Sequence, residues 1–425
     1  MKKTYHVEAW RTKDYASVKE TLRPWWVLTR YCGILPDWCC HPHNIDRKRL
    51  DAVAVTLIRY TGVAFVFSFV FSMMIFQLSR TVVAIQSMTT VHSVIPFLLW
   101  LSAIPLAVVT QIWYIARRRD FLAFFKDWYL FEKYLDLRYS HQELVYPMVR
   151  KPRILIYTSK LVTLLILVVG LSMIIFNFPD APYLLTNFEA LRDVIPIPIL
   201  GFIHLVNVIL VLGLTTLCET VPALVFFHFQ CQVHVLQREF DNVFKLFNSQ
   251  CNYHKLSGRL DVDPSLFFAA QLRQLFEFYE TVRRFVGRAN SLFGILLFLN
   301  HGMRLIVICI MLYSVLYLLQ STPVTAGIYL INFCIHLYEL VSSTLLTAQL
   351  YRASDRLRSH LAVLLTRYWD SIPKEERKFL VHFNGRIQTD PLAATPLGLY
   401  NVTPSFLLTV ASLAVTYVII LLQSK

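Results

Sequence analysis

Three features of this 425-residue sequence predict an all-α polytopic membrane protein with seven transmembrane helices, its N-terminus cytoplasmic and its C-terminus extracellular, on a helical cytoplasmic base. Its composition is 56% hydrophobic and only 16% charged, where soluble domains carry about a quarter charged residues. Apolar runs of about 20 residues, the length of helix that crosses hydrocarbon, recur seven times. The basic residues behind the net charge of +14 collect in alternate connections. Together these features exclude a disordered chain and a soluble basic protein that binds nucleic acid.

The spans are residues 52–76, 91–115, 154–176, 199–227, 291–319, 326–350 and 402–422. A backbone in lipid must satisfy its own hydrogen bonds, so each reads as a helix rather than an open strand. Between them, 35 Lys and Arg fall in residues 1–51, 116–153, 228–290 and 351–401, against Arg80, Arg192 and Lys425 on the other side. The positive-inside bias puts the first group in the cytoplasm. This orientation is opposite to that of a G-protein-coupled receptor. The cysteines agree: none lies in an exterior connection, so an exterior disulfide is excluded.

Exterior connections are short, whereas the cytoplasmic ones are long and helix-like. Residues 231–247 keep apolar residues at three- and four-residue spacing. A loop over 248–264 follows, then an amphipathic helix over 265–288 that climbs back to the fifth span. Span six continues through 369, and residues 372–387 supply one further cytoplasmic helix. The organisation expected is a cytoplasmic N-terminal segment (1–51), a six-helix transmembrane bundle with cytoplasmic extensions (52–350, the extensions at 116–153 and 228–290), anchor helices (351–401) and a pore-lining seventh helix (402–425).

Ionisable groups inside spans are expensive and mark candidate functional sites. Arg304 on span five and Glu339 on span six fall at similar mid-membrane depth, and an intramembrane ion pair would account for both. Such a pair serves either to hold the bundle or to gate it. Arg59 and Lys160 lie where their side chains snorkel to the cytoplasmic surface. Glu219 lies in the inner part of its span. In the outer halves of the bundle, Trp100, His204, Asn207, Tyr313, Tyr329, Asn332 and His336 offer aromatic walls and polar groups. This set suits a pocket for a small neutral organic ligand, or interhelical hydrogen bonding. Span seven is uncharged, and its hydroxyl residues suit either a wetted path or helix packing.

Span seven ends Thr416-Tyr417, five residues, then Gln423-Ser424. This resembles the C-terminal TYxxxxxQF signature of the arthropod gustatory receptor family, related to the insect odorant receptors, with Ser424 in place of the final Phe. The approach Gly398-Leu399-Tyr400 is similar too. The resemblance implies a ligand-gated, non-selective cation channel in the plasma membrane of sensory neurons. It implies a homotetramer, or a heteromer with related receptors, with four copies of the seventh helix around the pore. Thr416, Tyr417, Ile420, Leu421, Gln423 and Ser424 would then form the pore and gate. The ligand would be a tastant such as a sugar or bitter compound, and the other partners membrane lipids and permeating cations, not nucleic acid. A seven-helix chemoreceptor that signals through an intracellular partner is the alternative. No enzyme, cofactor or metal site is expected: Cys39-Cys40-His41-Pro42-His43 lacks the separated pairs of a structural zinc site.

Overall fold

The computed structural model describes residues 64–76, 91–139, 197–257, 264–319 and 323–423, together with Thr61, Leu78, Ser79 and Val82. These residues are helical apart from short turns, with no strand among those described. The described helices are α1 (Ala64–Phe76), α2 (Val91–Ala116), α3 (Arg118–Tyr139), α4 (Ile197–Ser257), α5 (Pro264–Leu318), α6 (Pro323–Arg367), α7 (Lys374–Thr389) and α8 (Phe406–Gln423), with a 3-10 turn at Pro396–Gly398. The expected third span, 154–176, lies outside the described residues, as does residue 52 onward before Thr61.

At about 1.5 Å per residue, the 61, 55 and 45 residues of α4, α5 and α6 form rods far longer than the roughly 30 Å hydrocarbon layer. Each is long enough for a membrane-crossing part and an extension beyond it. Among the described residues, Pro264–Tyr317 and Tyr329–Arg367 are long and apolar enough to cross a membrane. The three rods pack on one another along their length, with α2 against α4 and α5, α7 against α6, and α8 against α5. Helix α4 runs ten residues beyond the expected end at Phe247, through the stretch read as loop, and stops at Ser257. Helix α8 starts at Phe406, four residues later than the apolar run.

The base is an aromatic core. Trp128 of α3 stacks on Phe229 of α4 at 4.6 Å, and Phe124 meets Phe229, Phe285 and Phe293 edge-on. Lower down, Phe247 stacks on Phe268 at 4.2 Å, and Phe383 of α7 meets Tyr279 and Phe276 of α5. Ion pairs and a histidine–carboxylate hydrogen bond rim this core. Arg283 reaches Asp390 at 2.7 Å, Arg288 reaches Asp127 at 2.8 Å, and His360 reaches Asp241 at 2.8 Å.

The strap from α7 to α8 is tied to α5. Asn290 donates to the Ala393 carbonyl at 3.0 Å and accepts from the Thr395 amide at 2.8 Å. Gly294 sits against the strap so closely that an added Cβ would meet the Leu397 nitrogen at 3.0 Å. Leu397 itself has a left-handed backbone, φ 51°, followed by Gly398 at φ 72°. In the strained position a leucine costs roughly 1–2 kcal/mol.

Candidate functional site

Deep in the apolar part of the bundle, one guanidinium gathers three partners from two other helices. Arg304 of α5 donates through Nη2 to Glu219 of α4 at 2.9 Å. Its Nη1 lies 2.5 Å from the carboxylate of Glu339 of α6 and also contacts Nδ1 of His336 on the same helix. His336 and Glu339 face each other at 3.7 Å, one helical turn apart. Arg304, Glu219 and Glu339 are buried, while the His336 side chain is 28% exposed. One positive and two negative charges meet there, so the cluster carries an excess negative charge unless His336 or a carboxyl holds a proton. Removing Arg304 would leave two buried carboxylates without compensation, at a cost of about 3–5 kcal/mol.

The flanking residues explain why three helices meet at this level. Pro222 lacks an amide proton, so the Cys218 carbonyl loses its intrahelical partner. On that turn the Cys218 thiol donates across to the Leu296 carbonyl of α5 at 3.3 Å. Ser343 and Thr347 of α6 are buried and bond back to their own helix, which adds no polar demand on the neighbours.

Of the residues expected to line a ligand pocket, the structure brings some together. Tyr313 and Tyr329 are buried in one apolar cluster of α5 and α6 with Val307, Met311, Val315 and Ala326. Tyr313 stacks on Tyr317 at 6.1 Å. Asn332 is half-buried on α6. His336 joins the ion cluster through Arg304. The side chains of Trp100, His204 and Asn207 lie outside the described residues. Arg304 and Glu339, expected as a pair, are in contact, and Glu219 is the member that residue-by-residue depth counting missed. The signal was available: it is the only acidic residue in span four, and Arg304 is the one basic intramembrane residue with no route to the surface.

One turn from this cluster begins the seat of the last helix. Val410 of α8 packs with Ile308 of α5 and Leu340 of α6, neighbours of Arg304 and Glu339 along their helices. Nearer the strap, His301 Nδ1 and the Tyr400 hydroxyl are 3.0 Å apart, and Phe406 stacks on Tyr400 at 5.0 Å. In α8 itself, Val410, Ala414 and Val418 are buried and all recur at four-residue spacing. Ser405, just before the helix, and Thr409, Ser412, Thr416 and Gln423 are exposed. At about 3.6 residues per turn these five fall along one stripe, on the side opposite the buried three. Tyr417 and Ile420 are also exposed, at the flank and end of that stripe. The Leu421 side chain and Ser424 lie outside the described residues.

Residues 22–425 match the family model described as 7tm Chemosensory receptor. The fold is similar to that of the insect olfactory receptor OR5 from Machilis hrabei in complex with eugenol, with a TM-score of 0.65 at 13% identity, covering 95% of this chain and 98% of that one. A second structure of OR5 from Machilis hrabei matches with a TM-score of 0.63 at 15% identity and the same coverage. No curated protein matches the chain in sequence.

Proposed function

The chain belongs to the 7tm chemosensory receptor family, and from that premise we propose that it is a gustatory receptor subunit of a ligand-gated, non-selective cation channel opened by a small-molecule tastant. The observation that carries this reading is the two-sided last helix. Its buried stripe of Val410, Ala414 and Val418 holds it to its own subunit, and the opposite stripe of Thr409, Ser412, Thr416 and Gln423 is polar, uncharged and open. Four such stripes facing one axis make a wetted path lined by hydroxyls, with Ile420 as the apolar constriction and Gln423 and Ser424 at the mouth. The exposed Tyr417 and Leu413 then face neighbouring copies or lipid.

The ligand binds in the outer bundle, between Trp100, His204, Asn207, Tyr313, Tyr329, Asn332 and His336. OR5 in complex with eugenol supports a small-molecule ligand for this fold. His336 belongs both to that group and to the Arg304 cluster, and residues beside Arg304 and Glu339 seat Val410. A ligand that prefers one arrangement of this cluster shifts the population of pore conformations by its differential affinity. Residues 1–51 and the anchor helices lie in the cytoplasm and the C-terminus outside, in the plasma membrane of a sensory neuron; the basic belts support this orientation.

Reconstitution of the purified chain alone in a lipid bilayer tests the proposal. Agonist-evoked single-channel currents are expected. Silence to ligands that activate cells expressing this chain would instead favour signalling through an intracellular partner.

A further inference from the structure

At the cytoplasmic end of α2 a cleft of about 250 Å³ opens between that helix, α5 and the strap, walled by Trp113, Ser291, Ile295, Thr395 and Leu397. Two of the polar groups in its walls are already committed. The Trp113 indole donates to the Leu292 carbonyl at 2.7 Å, and both amide atoms of Asn290 hold the strap. What remains open is an indole face, Ile295 and Leu397, a lining for a hydrocarbon chain. The rim is different in kind. Arg117 lies over the Trp113 ring with its Cζ 5.6 Å from the centroid, and its Nη2 stands 3.5 Å from the Ser291 hydroxyl. The Asp120 carboxylate stands 2.9 Å from Arg117 Nε.

The cleft also sits at a defined depth. The apolar run of α2 ends at Ala116 and is followed at once by Arg117, Arg118 and Arg119, and the apolar run of α5 begins at Ser291. A tryptophan at such a boundary occupies the level of lipid headgroups. Beside the cleft, Leu397 is 51% and Leu399 is 67% exposed, on a strap that is otherwise pinned to α5. We infer that this cleft binds an anionic phospholipid of the cytoplasmic leaflet, its acyl chain on Trp113, Ile295 and Leu397 and its phosphate on Arg117 and Ser291. The inference rests on the orientation proposed above. Charge complementarity selects this occupant over a second copy of the chain, which would bring the same basic belt to the rim. Because the strap that floors the cleft leads directly into α8, a bound lipid stabilises one placement of the last helix.

Native mass spectrometry of the full-length purified receptor, exposed to equal amounts of phosphatidylglycerol and phosphatidylcholine of matched chains, tests this. Wild type is expected to retain phosphatidylglycerol several-fold over phosphatidylcholine. Arg117→Gln should level the two, and Thr395→Trp, which fills the cleft, should lower the retention of both. Gel filtration identifies variants that fold. Equal retention of the two lipids by wild type overturns the inference, as does a preference that survives Arg117→Gln. Displacement of the lipid by millimolar inorganic phosphate assigns the site to a free anion instead. Oxidative cross-linking of Leu397→Cys between subunits assigns it to a neighbouring copy. A receptor that conducts no current yet keeps its phosphatidylglycerol preference defeats the channel proposal and leaves this one standing.

Discussion

Gly294 of α5 and Leu397 of the strap meet backbone to backbone: a Cβ on Gly294 would stand 3.0 Å from the Leu397 nitrogen and 3.2 Å from the Thr395 carbonyl oxygen. Neither atom belongs to a side chain that could rotate away. Gly294→Ala is therefore expected to lift the strap and to destabilise the protein by about 1–3 kcal/mol, as overpacking does. A lowered melting midpoint of the purified receptor, with Gly302→Ala as the neutral control because nothing lies near its Cβ, checks this.

Arg304 is the common partner of Glu219 and Glu339. Its replacement by Met should be worse than either single Glu→Gln change, because it leaves two carboxylates buried without a cation. The expected cost is about 3–5 kcal/mol. The triple change Arg304→Met, Glu219→Gln, Glu339→Gln should recover much of the loss. Surface expression and thermal stability read both, and a triple variant no better than Arg304→Met alone would argue against a shared cluster.

The stripe on α8 makes a prediction about access. In a Cys334→Ser background, cysteines at Thr409, Ser412 and Thr416 should react with a charged thiol reagent and block agonist-evoked current. A cysteine at Ala414, on the buried side, should leave the current unchanged. Equal block at all four positions would remove the pore assignment of this face.

In the base, burial holds the imidazole of His234 below its usual value of 6.5, with the Arg356 charge acting in the same direction and a Gln237 hydrogen bond opposing it. The unfolded chain thus takes up a proton that the folded chain resists. Stability is fully present above about pH 6.5 and declines as pH falls below it. The slope of melting temperature between pH 7 and 5 should be shallower in His234→Gln.

Hydropathy shows where these helices cross lipid but not where they end. The apolar run of span four stops near Phe227, yet α4 continues to Ser257, and residues 228–247 bury one face, including Phe229, Phe240, Phe244 and Phe247, against α3, α5 and α6. That continuation was readable as far as the apolar spacing lasted. The stretch after Phe247 is polar, and Gly258 and Pro264, which end the pattern, lie eleven and seventeen residues further on. For the ion cluster, the sequence supplied Arg304 and Glu339 as two charges at one depth. It concealed Glu219, because depth counted from the ends of a span ignores the offset between long rods packed side by side. The polar stripe of α8 was present as a composition of Ser and Thr. Which side it occupied became definite only once Val410 was seen against Ile308 and Leu340.

Three short side chains, Val410, Ala414 and Val418, fasten the last helix to its own subunit. Burying a valine out of water is worth about 1.5–3 kcal/mol, and inside lipid the gain is smaller still, since hydrocarbon solvates a valine as well as a protein does. Detaching this seam costs on the order of a few kcal/mol. A ligand of micromolar affinity brings roughly 8 kcal/mol on binding, so a modest fraction of that, expressed as preference for one state, outweighs the seam. On the proposed channel reading the helix is a light latch, one that a single small molecule is strong enough to lift.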